Sequence, residues 1–206
     1  MIILNLIENN KILLGLISSV IAVVAYIPYF LDIFRGKTKP HIFSWFIWGL
    51  LGGITYAAQV VKGAGAGSWA NGLTALICFV IAILSITRGE KNITITDKLS
   101  FSGAIFALIL WFLTKNPLSA VILACVIDTI AYIPTFRKAY YKPFEETLSS
   151  FVVTTIGIII SLLALEAYST TTWLYLAVLI SSNSIFITML LIRRKLIKNR
   201  KNITIV

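Results

Sequence analysis

The chain has 206 residues, of which 58% are hydrophobic and 13% are charged, and its formal net charge is +10. The charged residues collect in short bands between long apolar runs, a pattern that indicates a protein crossing a membrane several times and leaves no length for a soluble domain. Both cysteines fall inside apolar runs, and the single histidine has no cluster of metal ligands near it in the sequence, so the sequence favours neither a disulfide framework, nor a metal or cofactor site, nor an intramembrane enzyme.

Seven apolar runs follow one another along the chain, and each is long enough to cross a hydrocarbon core of about 30 Å as a helix. Backbone polar groups within a bilayer must be paired inside the protein, and these runs are too long for barrel strands, so helices are expected. The predicted fold class is therefore all-α membrane. The predicted helices are residues 12–34, 42–61, 68–87, 99–114, 117–137, 148–168 and 172–192.

The Lys and Arg residues are divided unequally between the two sides of this predicted bundle. Only Lys11, Lys62 and Lys115 fall on the side that holds the N-terminus, and the other basic residues fall on the opposite side. Because Lys and Arg accumulate on the cytoplasmic side of membrane proteins, the sequence predicts an outer N-terminus and a cytoplasmic C-terminus. The basic run at 193–201 is expected to meet anionic lipid headgroups, so the net charge requires no nucleic-acid partner.

A short motif, Ala-Tyr-Ile-Pro, occurs at 25–28 and again at 131–134, an offset of 106 residues. The same offset carries Ser44 onto Ser150, and it carries the first three predicted helices onto the last three. The fourth helix is then a connector, which gives both units the same orientation. The sequence thus predicts two parallel three-helix repeats in a three-plus-one-plus-three arrangement.

This arrangement divides the chain into a first repeat, a linker with the fourth helix, and a second repeat with the basic tail. The predicted boundaries are 1–88, 89–116 and 117–206.

The two units share further features: a proline near the cytoplasmic end of the first helix, a short basic loop, and a serine with aromatic residues at the start of the next helix. In these features the chain resembles the PQ-loop superfamily, which includes the SWEET sugar transporters and the cystinosin-like lysosomal amino-acid exporters. It departs from the motif that names the family, because Pro28 is followed by Tyr29 and Pro134 by Thr135 instead of glutamine. The resemblance implies transport by alternating access, with Pro28 and Pro134 as paired hinges.

Asp128 is the most unusual polar residue of the predicted membrane helices, because it lies near the middle of the fifth helix. A carboxylate at that depth costs at least a few kcal/mol unless it is paired, hydrated or protonated. We expect Tyr132, one turn further along the same face, to donate a hydrogen bond to it. Asp128 is the candidate for proton coupling, and the alternative is a carboxyl group that only joins two helices.

Other polar and aromatic residues are candidates for contact with a solute. In SWEET-like proteins an asparagine of each third helix faces the central pocket, and the resemblance extends that role to Asn71 and Asn183. The alternatives are packing between helices for the asparagines and serines and a place at the membrane interface for the tryptophan. The candidate solute contacts are Tyr26, Trp48, Asn71, Tyr132, Ser182 and Asn183.

The expected function is transport of a small polar solute, such as a sugar, an amino acid or a vitamin-like compound. A seven-helix cargo or sorting receptor is the first alternative, but its pocket would need a basic residue to hold a peptide carboxylate, and no Lys or Arg lies deep in a predicted helix. A membrane scaffold that transports nothing, and assembly into a homo-oligomer, both stay open at this point.

Overall fold

The computed structural model describes residues 10–114 and 116–204, and within them the chain is helical apart from short connections. The all-α class is thus confirmed. Residues 1–9, which the sequence assigns to the first repeat, Lys115 and the last two residues lie outside the described part. The α-helices are α1 (Lys11–Phe34), α2 (Ile42–Val61), α3 (Trp69–Arg88), α4 (Ile95–Thr114), α5 (Pro117–Tyr141), α6 (Leu148–Leu163) and α7 (Thr170–Thr204).

The lengths and composition of the helices fit a multi-pass membrane protein. In the described residues 5 helices, namely α1, α2, α3, α5 and α7, are long and apolar enough to cross a membrane, and α6 is apolar but shorter. The prediction that the sixth helix reaches residue 168 was wrong. It ends at Leu163, where the Tyr168 hydroxyl folds back and donates to the Leu162 carbonyl at 2.7 Å.

Local sequence signals explain several helix ends. Asn116 caps α5 by accepting a hydrogen bond from the Leu118 backbone N–H at 3.0 Å, and Pro117 occupies the first turn, where its missing N–H costs nothing. Gly36, with φ of +70°, follows the end of α1 in the left-handed conformation that stops a helix. These signals make the helix boundaries at both places sharp.

The helices pack around one core, and two sets of three show the same pattern of contacts. We call α1, α2 and α3 the first triplet and α5, α6 and α7 the second. In the first triplet α3 packs against both α1 and α2, and in the second α7 packs against both α5 and α6. Between the triplets, α1 packs against α6 and α2 packs against α5, while α4 lies mainly against α5. The contact of α1 with α6 is close at Gly157, where an added Cβ would lie 2.9 Å from Ile21 Cγ2.

Candidate functional site

A small cavity of about 60 Å³ lies among the helices of the two triplets. Its lining includes side chains from α1, α2, α3, α5, α6 and α7, so both triplets contribute to it. Since one water molecule occupies about 30 Å³ of liquid, the space corresponds to roughly two water molecules.

Most of the candidate residues meet at this cavity. The residues from the sequence-based set that line it are Tyr26, Trp48, Asn71, Asp128, Tyr132 and Asn183. Ser182 does not: it lines a groove on α5 and α7 beside Thr129 and Ile185. One helical position corresponds to a rotation of about 100°, so the cavity-facing Asn183 turns its neighbour Ser182 away. Pro28 and Pro134 lie within α1 and α5, near the cavity residues but not in its lining.

Asp128 is fully buried, at 0% exposure, and only one of its oxygens has a protein partner. The Tyr175 hydroxyl donates to Asp128 Oδ1 at 3.3 Å, while Asp128 Oδ2 has no partner among the described groups. The expected contact from Tyr132 was wrong, because the Tyr132 hydroxyl donates to Asn183 Oδ1 instead. The carboxyl group of this cavity-lining residue is thus held by the described protein groups at one oxygen only.

Two more buried polar atoms in the cavity lining are without a protein partner in the described structure. They are the indole N–H of Trp48 on α2 and the hydroxyl of Ser150 on α6. A buried polar group left unpaired costs about 1–3 kcal/mol, and most such groups in folded proteins are satisfied by protein, water or ligand. Together with Asp128 Oδ2, they form a set of polar atoms available to a molecule in the cavity.

Asn71 is engaged differently, because its side-chain amide is already bonded within the protein. It donates to Thr55 Oγ1 and to Gln59 Oε1, both at 3.1 Å, and Gln59 in turn donates to the Thr172 carbonyl at 2.9 Å. This chain of hydrogen bonds links α3, α2 and the start of α7. The geometry favours the packing role for Asn71, although the residue also lines the cavity.

Aromatic rings form the walls of the cavity on the side of α2. The Trp45 and Trp48 ring centroids are 5.1 Å apart with the rings at 85°, and Trp48 lies 4.9 Å from Tyr132. Tyr26 meets Trp45 at 6.0 Å and 76°. Edge-to-face and tilted contacts of this kind are the ordinary packing of aromatic rings, and they hold this wall of the cavity together.

Sequence reasoning missed several residues of this cavity. Ser150 could have been found as the repeat partner of Ser44, and Tyr175 lies two helical turns before Asn183 on the same face of α7. Cys78 gave no signal beyond its place in an apolar run.

At one end of the bundle, which we call the basic end, the loops 35–41 and 142–147 cover the cavity residues. Lys138 of α5 pairs with Glu146 at 2.7 Å, and the two side chains are only 4% and 3% exposed. The Lys138 ammonium also donates to the Lys39 carbonyl of the other loop. Burial raises the pKa of Glu146 above its ordinary value, and Lys138 opposes that shift without cancelling it.

A second contact at the basic end joins α1 of the first triplet to the loop before α6 of the second. Asp32 of α1 accepts a hydrogen bond at 2.8 Å from the hydroxyl of Thr147, which precedes α6, and Thr147 also contacts Thr38 at 2.7 Å. Asp32 and Lys138 are related by the 106-residue offset. The first helix of each triplet is thus bonded at the basic end to a loop of the other triplet, Asp32 to Thr147 and Lys138 to Lys39.

The opposite end of the bundle is closed by the connections that follow α2 and α6. The Glu166 backbone N–H donates to the Ala64 carbonyl at 3.2 Å, and the Ser161 hydroxyl donates to the Gly67 carbonyl at 2.5 Å. Ala64 and Leu165 are both at 0% exposure beneath this contact. The connections at this end of the bundle are therefore bonded to each other across the two triplets.

One of the two intrahelical prolines is braced from a neighbouring helix. Pro134 has no N–H to donate to the preceding turn of α5, and the Ser44 hydroxyl of α2 donates to the nearby Ala131 carbonyl at 2.9 Å. Thr135 donates to Ser44 at 3.2 Å and completes the contact. Ser150, the repeat partner of Ser44, makes no such bond to α1.

This difference predicts opposite results for two equivalent substitutions. Ser44→Ala is expected to lower the free energy of unfolding by about 1–2 kcal/mol, because it removes the buried hydrogen bonds of Ser44 with the Ala131 carbonyl and with the Thr135 hydroxyl. Ser150→Ala removes a hydroxyl that has no protein partner, so we expect a change within about 0.5 kcal/mol or a gain in stability. Reversible unfolding of the two purified variants in mixed micelles measures the difference, and equal losses for both would contradict it.

Comparison with protein-family models, with curated proteins and with solved structures gave no match.

Proposed function

We propose that the protein is a carrier that moves a small polar solute through the central cavity by alternating access. The observation that carries this proposal is the group of unpartnered polar atoms at the cavity, Trp48 Nε1, Asp128 Oδ2 and Ser150 Oγ. They come from α2, α5 and α6 and converge on one space, which is the arrangement of a binding site for a polar molecule. A protein that only held helices together would gain stability by pairing these atoms or by replacing them with apolar groups.

The proposal includes the three-plus-one-plus-three arrangement of the PQ-loop superfamily, with α4 as the connector. In its support, α1 and α2 begin at Lys11 and Ile42, and α5 and α6 begin at Pro117 and Leu148, so both pairs of starts differ by the 106-residue offset. The third helix also packs against the first and second in each triplet. We propose further that the basic end faces the cytoplasm, in agreement with the side on which Lys and Arg accumulate.

In this proposal the described conformation is a closed one, because polar contacts join the loops at both ends of the bundle. Opening of the basic end requires Lys138 to leave the Lys39 carbonyl and Asp32 to leave Thr147. Pro28 and Pro134 lie one helical turn before Asp32 and Lys138, so a bend at each proline would move these contacts and separate the loops. Asp128 is the group in the cavity suited to carry a proton with the solute.

The receptor alternative has less support than the carrier. A site for the C-terminal carboxylate of a peptide needs a basic side chain, and none of the described residues that line the cavity is Lys, Arg or His. A space of about 60 Å³ is also far smaller than a peptide requires.

The native thiol of Cys78 allows a test that does not require the solute to be known. Cys78 lines the cavity at 3% exposure, and in a Cys125→Ser background it is the only thiol of the chain. A carrier in a sealed vesicle should expose Cys78 to an impermeant methanethiosulfonate reagent from one face or from the other, as its two ends open in turn. Modification is measured by mass spectrometry after addition of the reagent outside vesicles of each orientation.

The expected result is labelling from both faces, at rates slow compared with an unfolded control. Labelling from one face alone, in every condition, would contradict alternating access and favour a receptor or a scaffold. Ser182→Cys in a cysteine-free background is the matched control, because Ser182 faces the outer groove and not the cavity.

A further inference from the structure

Two chemical features of the cavity bear on the class of solute beyond the general expectation of a sugar, an amino acid or a vitamin-like compound. One is its wall of tryptophan and tyrosine rings, and the other is a buried carboxyl group without a basic partner. Trp45 and Trp48 stand at 85° to each other, and Tyr132 closes the next side at 4.9 Å from Trp48. Tyr26, Tyr29 and Tyr175 also line the cavity, and the face of a Trp or Tyr ring attracts an ammonium group within about 6 Å of its centroid.

Asp128 supplies the charge for such a site. It is at 0% exposure, its Oδ1 accepts from the Tyr175 hydroxyl, and its Oδ2 lies at the cavity without a described protein partner. The described residues that line the cavity include no basic side chain to neutralise it. A cation in the cavity would therefore contact both the aromatic rings and the Asp128 carboxylate. It would also compensate the buried negative charge of that carboxylate.

The remaining unpartnered atoms point to a second group on the same molecule. Trp48 Nε1 carries a hydrogen that can only be donated, and Ser150 Oγ can donate or accept. An ammonium group cannot accept from an indole N–H, so this donor fits a hydroxyl or carbonyl oxygen. The site thus combines one position for a cation with one for a neutral acceptor.

We propose that the cavity binds a small organic cation that carries a hydroxyl or carbonyl oxygen, with Asp128 and the aromatic wall at the ammonium group and Trp48 Nε1 at the oxygen. This inference rests on the proposed carrier function and names the class of its solute. The space of about 60 Å³ accepts an ammonium group, and the rest of the molecule enters when the bundle opens.

The test uses choline as the probe, together with three compounds that each lack one feature. Dimethylbutanol, in which carbon replaces the nitrogen, keeps the shape and the hydroxyl but has no charge. Tetramethylammonium keeps the charge and has no hydroxyl, and potassium chloride at equal concentration is the inorganic control. Binding to the purified full-length protein is measured by isothermal titration calorimetry and by the protection of Cys78 from alkylation.

We expect choline to bind more tightly than tetramethylammonium, and dimethylbutanol and potassium to give no protection. Asp128→Asn should weaken choline on the order of 30-fold or more, as expected for the loss of a buried charge partner. Trp48→Phe keeps a ring but removes the N–H, so it should weaken choline about fivefold and leave tetramethylammonium unchanged. Trp48→Leu removes both the ring and the N–H, so it should weaken tetramethylammonium about tenfold and choline by more than that.

Ser182→Ala is the control variant, since its side chain lies outside the cavity, and it should bind choline as the wild type does. The inference is overturned if dimethylbutanol protects as well as choline, if potassium competes equally with it, if Asp128→Asn binds choline with unchanged affinity, or if no cation of the series binds at millimolar concentration.

The same samples separate this inference from the carrier proposal. If sugars or nucleosides protect Cys78 and are exchanged by proteoliposomes while choline does neither, the cation class is wrong and the carrier proposal stands. If choline binds through Asp128 but is not exchanged across the vesicle membrane, the cation class stands and the carrier proposal is wrong.

Discussion

Lys138→Gln is expected to lower the free energy of unfolding by about 3–5 kcal/mol, because it leaves the carboxylate of Glu146 buried without its partner. The two side chains are almost fully enclosed, at 4% and 3% exposure, so solvent screening does not reduce the effect as it does at a surface. The substitution also removes the bond from Lys138 to the Lys39 carbonyl, so the basic end should open more often. Reversible unfolding in mixed micelles measures the first effect, and faster alkylation of Cys78 from the basic end measures the second.

The pH dependence of this variant gives a further check. Without Lys138, burial acts on Glu146 with less opposition and raises its pKa further above the value in the unfolded chain. The folded state then binds more protons than the unfolded state in the mildly acidic range, so the stability of Lys138→Gln should increase as the pH falls from neutral and decrease as it rises. Wild-type protein, in which Lys138 opposes the shift, should show the same direction with a smaller slope.

Lys142→Gln is the matched control, because Lys142 pairs with Glu90 at 3.5 Å while its side chain is 52% exposed. Exposed pairs contribute about 0–1 kcal/mol, so this variant should unfold within about 1 kcal/mol of wild type and label at the wild-type rate. Equal losses for the two lysine variants would show that the buried pair does not hold the basic end closed.

The double variant Pro28→Ala/Pro134→Ala is expected to be more stable than the wild type and slower to open. Each alanine restores a backbone N–H to the preceding turn and removes the clash of the proline ring, a change of up to about 3 kcal/mol per site in a helix interior. If the bends at these prolines separate the loops, each restored bond must break or strain during opening. A penalty of about 1.4 kcal/mol in the barrier slows the step tenfold, so the alkylation rate of Cys78 should fall by about tenfold for each single variant and more for the double variant.

Pro117→Ala separates the hinge effect from a general effect of proline removal. Pro117 occupies the first turn of α5, where no intrahelical bond is lost, so its replacement should leave both stability and the alkylation rate near the wild-type values. Pro28→Ala/Pro134→Ala with unchanged or faster alkylation of Cys78 would remove these prolines from the opening movement. Because Pro134 is braced by Ser44 and Pro28 has no equivalent brace from Ser150, we expect the single Pro28 variant to slow opening more than the Pro134 variant.

Much of the fold could be predicted from the sequence because the residue types at the ends of the apolar runs determine where the helices begin and end. The limits of α2 at Ile42 and Val61 agree with the prediction, since apolar residues begin after Pro40-His41 and stop before Lys62-Gly63. The end of the last helix was not predicted correctly. This helix runs to Thr204 because Arg, Lys and Leu are good helix formers outside a membrane, whereas the prediction ended at the last apolar residues near 192.

The candidate site was predictable where a residue was unusual for its surroundings and not where its role depends on a neighbouring helix. Asp128 was found because a carboxylate in an apolar run is costly wherever the helix faces. The partner of Asp128 could not be found in this way, because Tyr132 and Tyr175 are both plausible donors until α5 and α7 are placed side by side. Ser182 and Asn183 differ by one position, and only the rotation of α7 decides which of them faces the cavity.

The alternating contacts of the two triplets have a consequence for how the protein is made. Outside its own triplet α1 packs mainly against α6, and α2 packs mainly against α5. Neither triplet can therefore bury its inner face by itself. During synthesis α1, α2 and α3 leave the ribosome first. Until α5 and the start of α6 follow, Ser44 lacks the Ala131 carbonyl and Asp32 lacks the Thr147 hydroxyl. The cavity exists only after α7 has brought Tyr175 and Asn183 into place, so the last membrane helix to be made is also the one that completes the site.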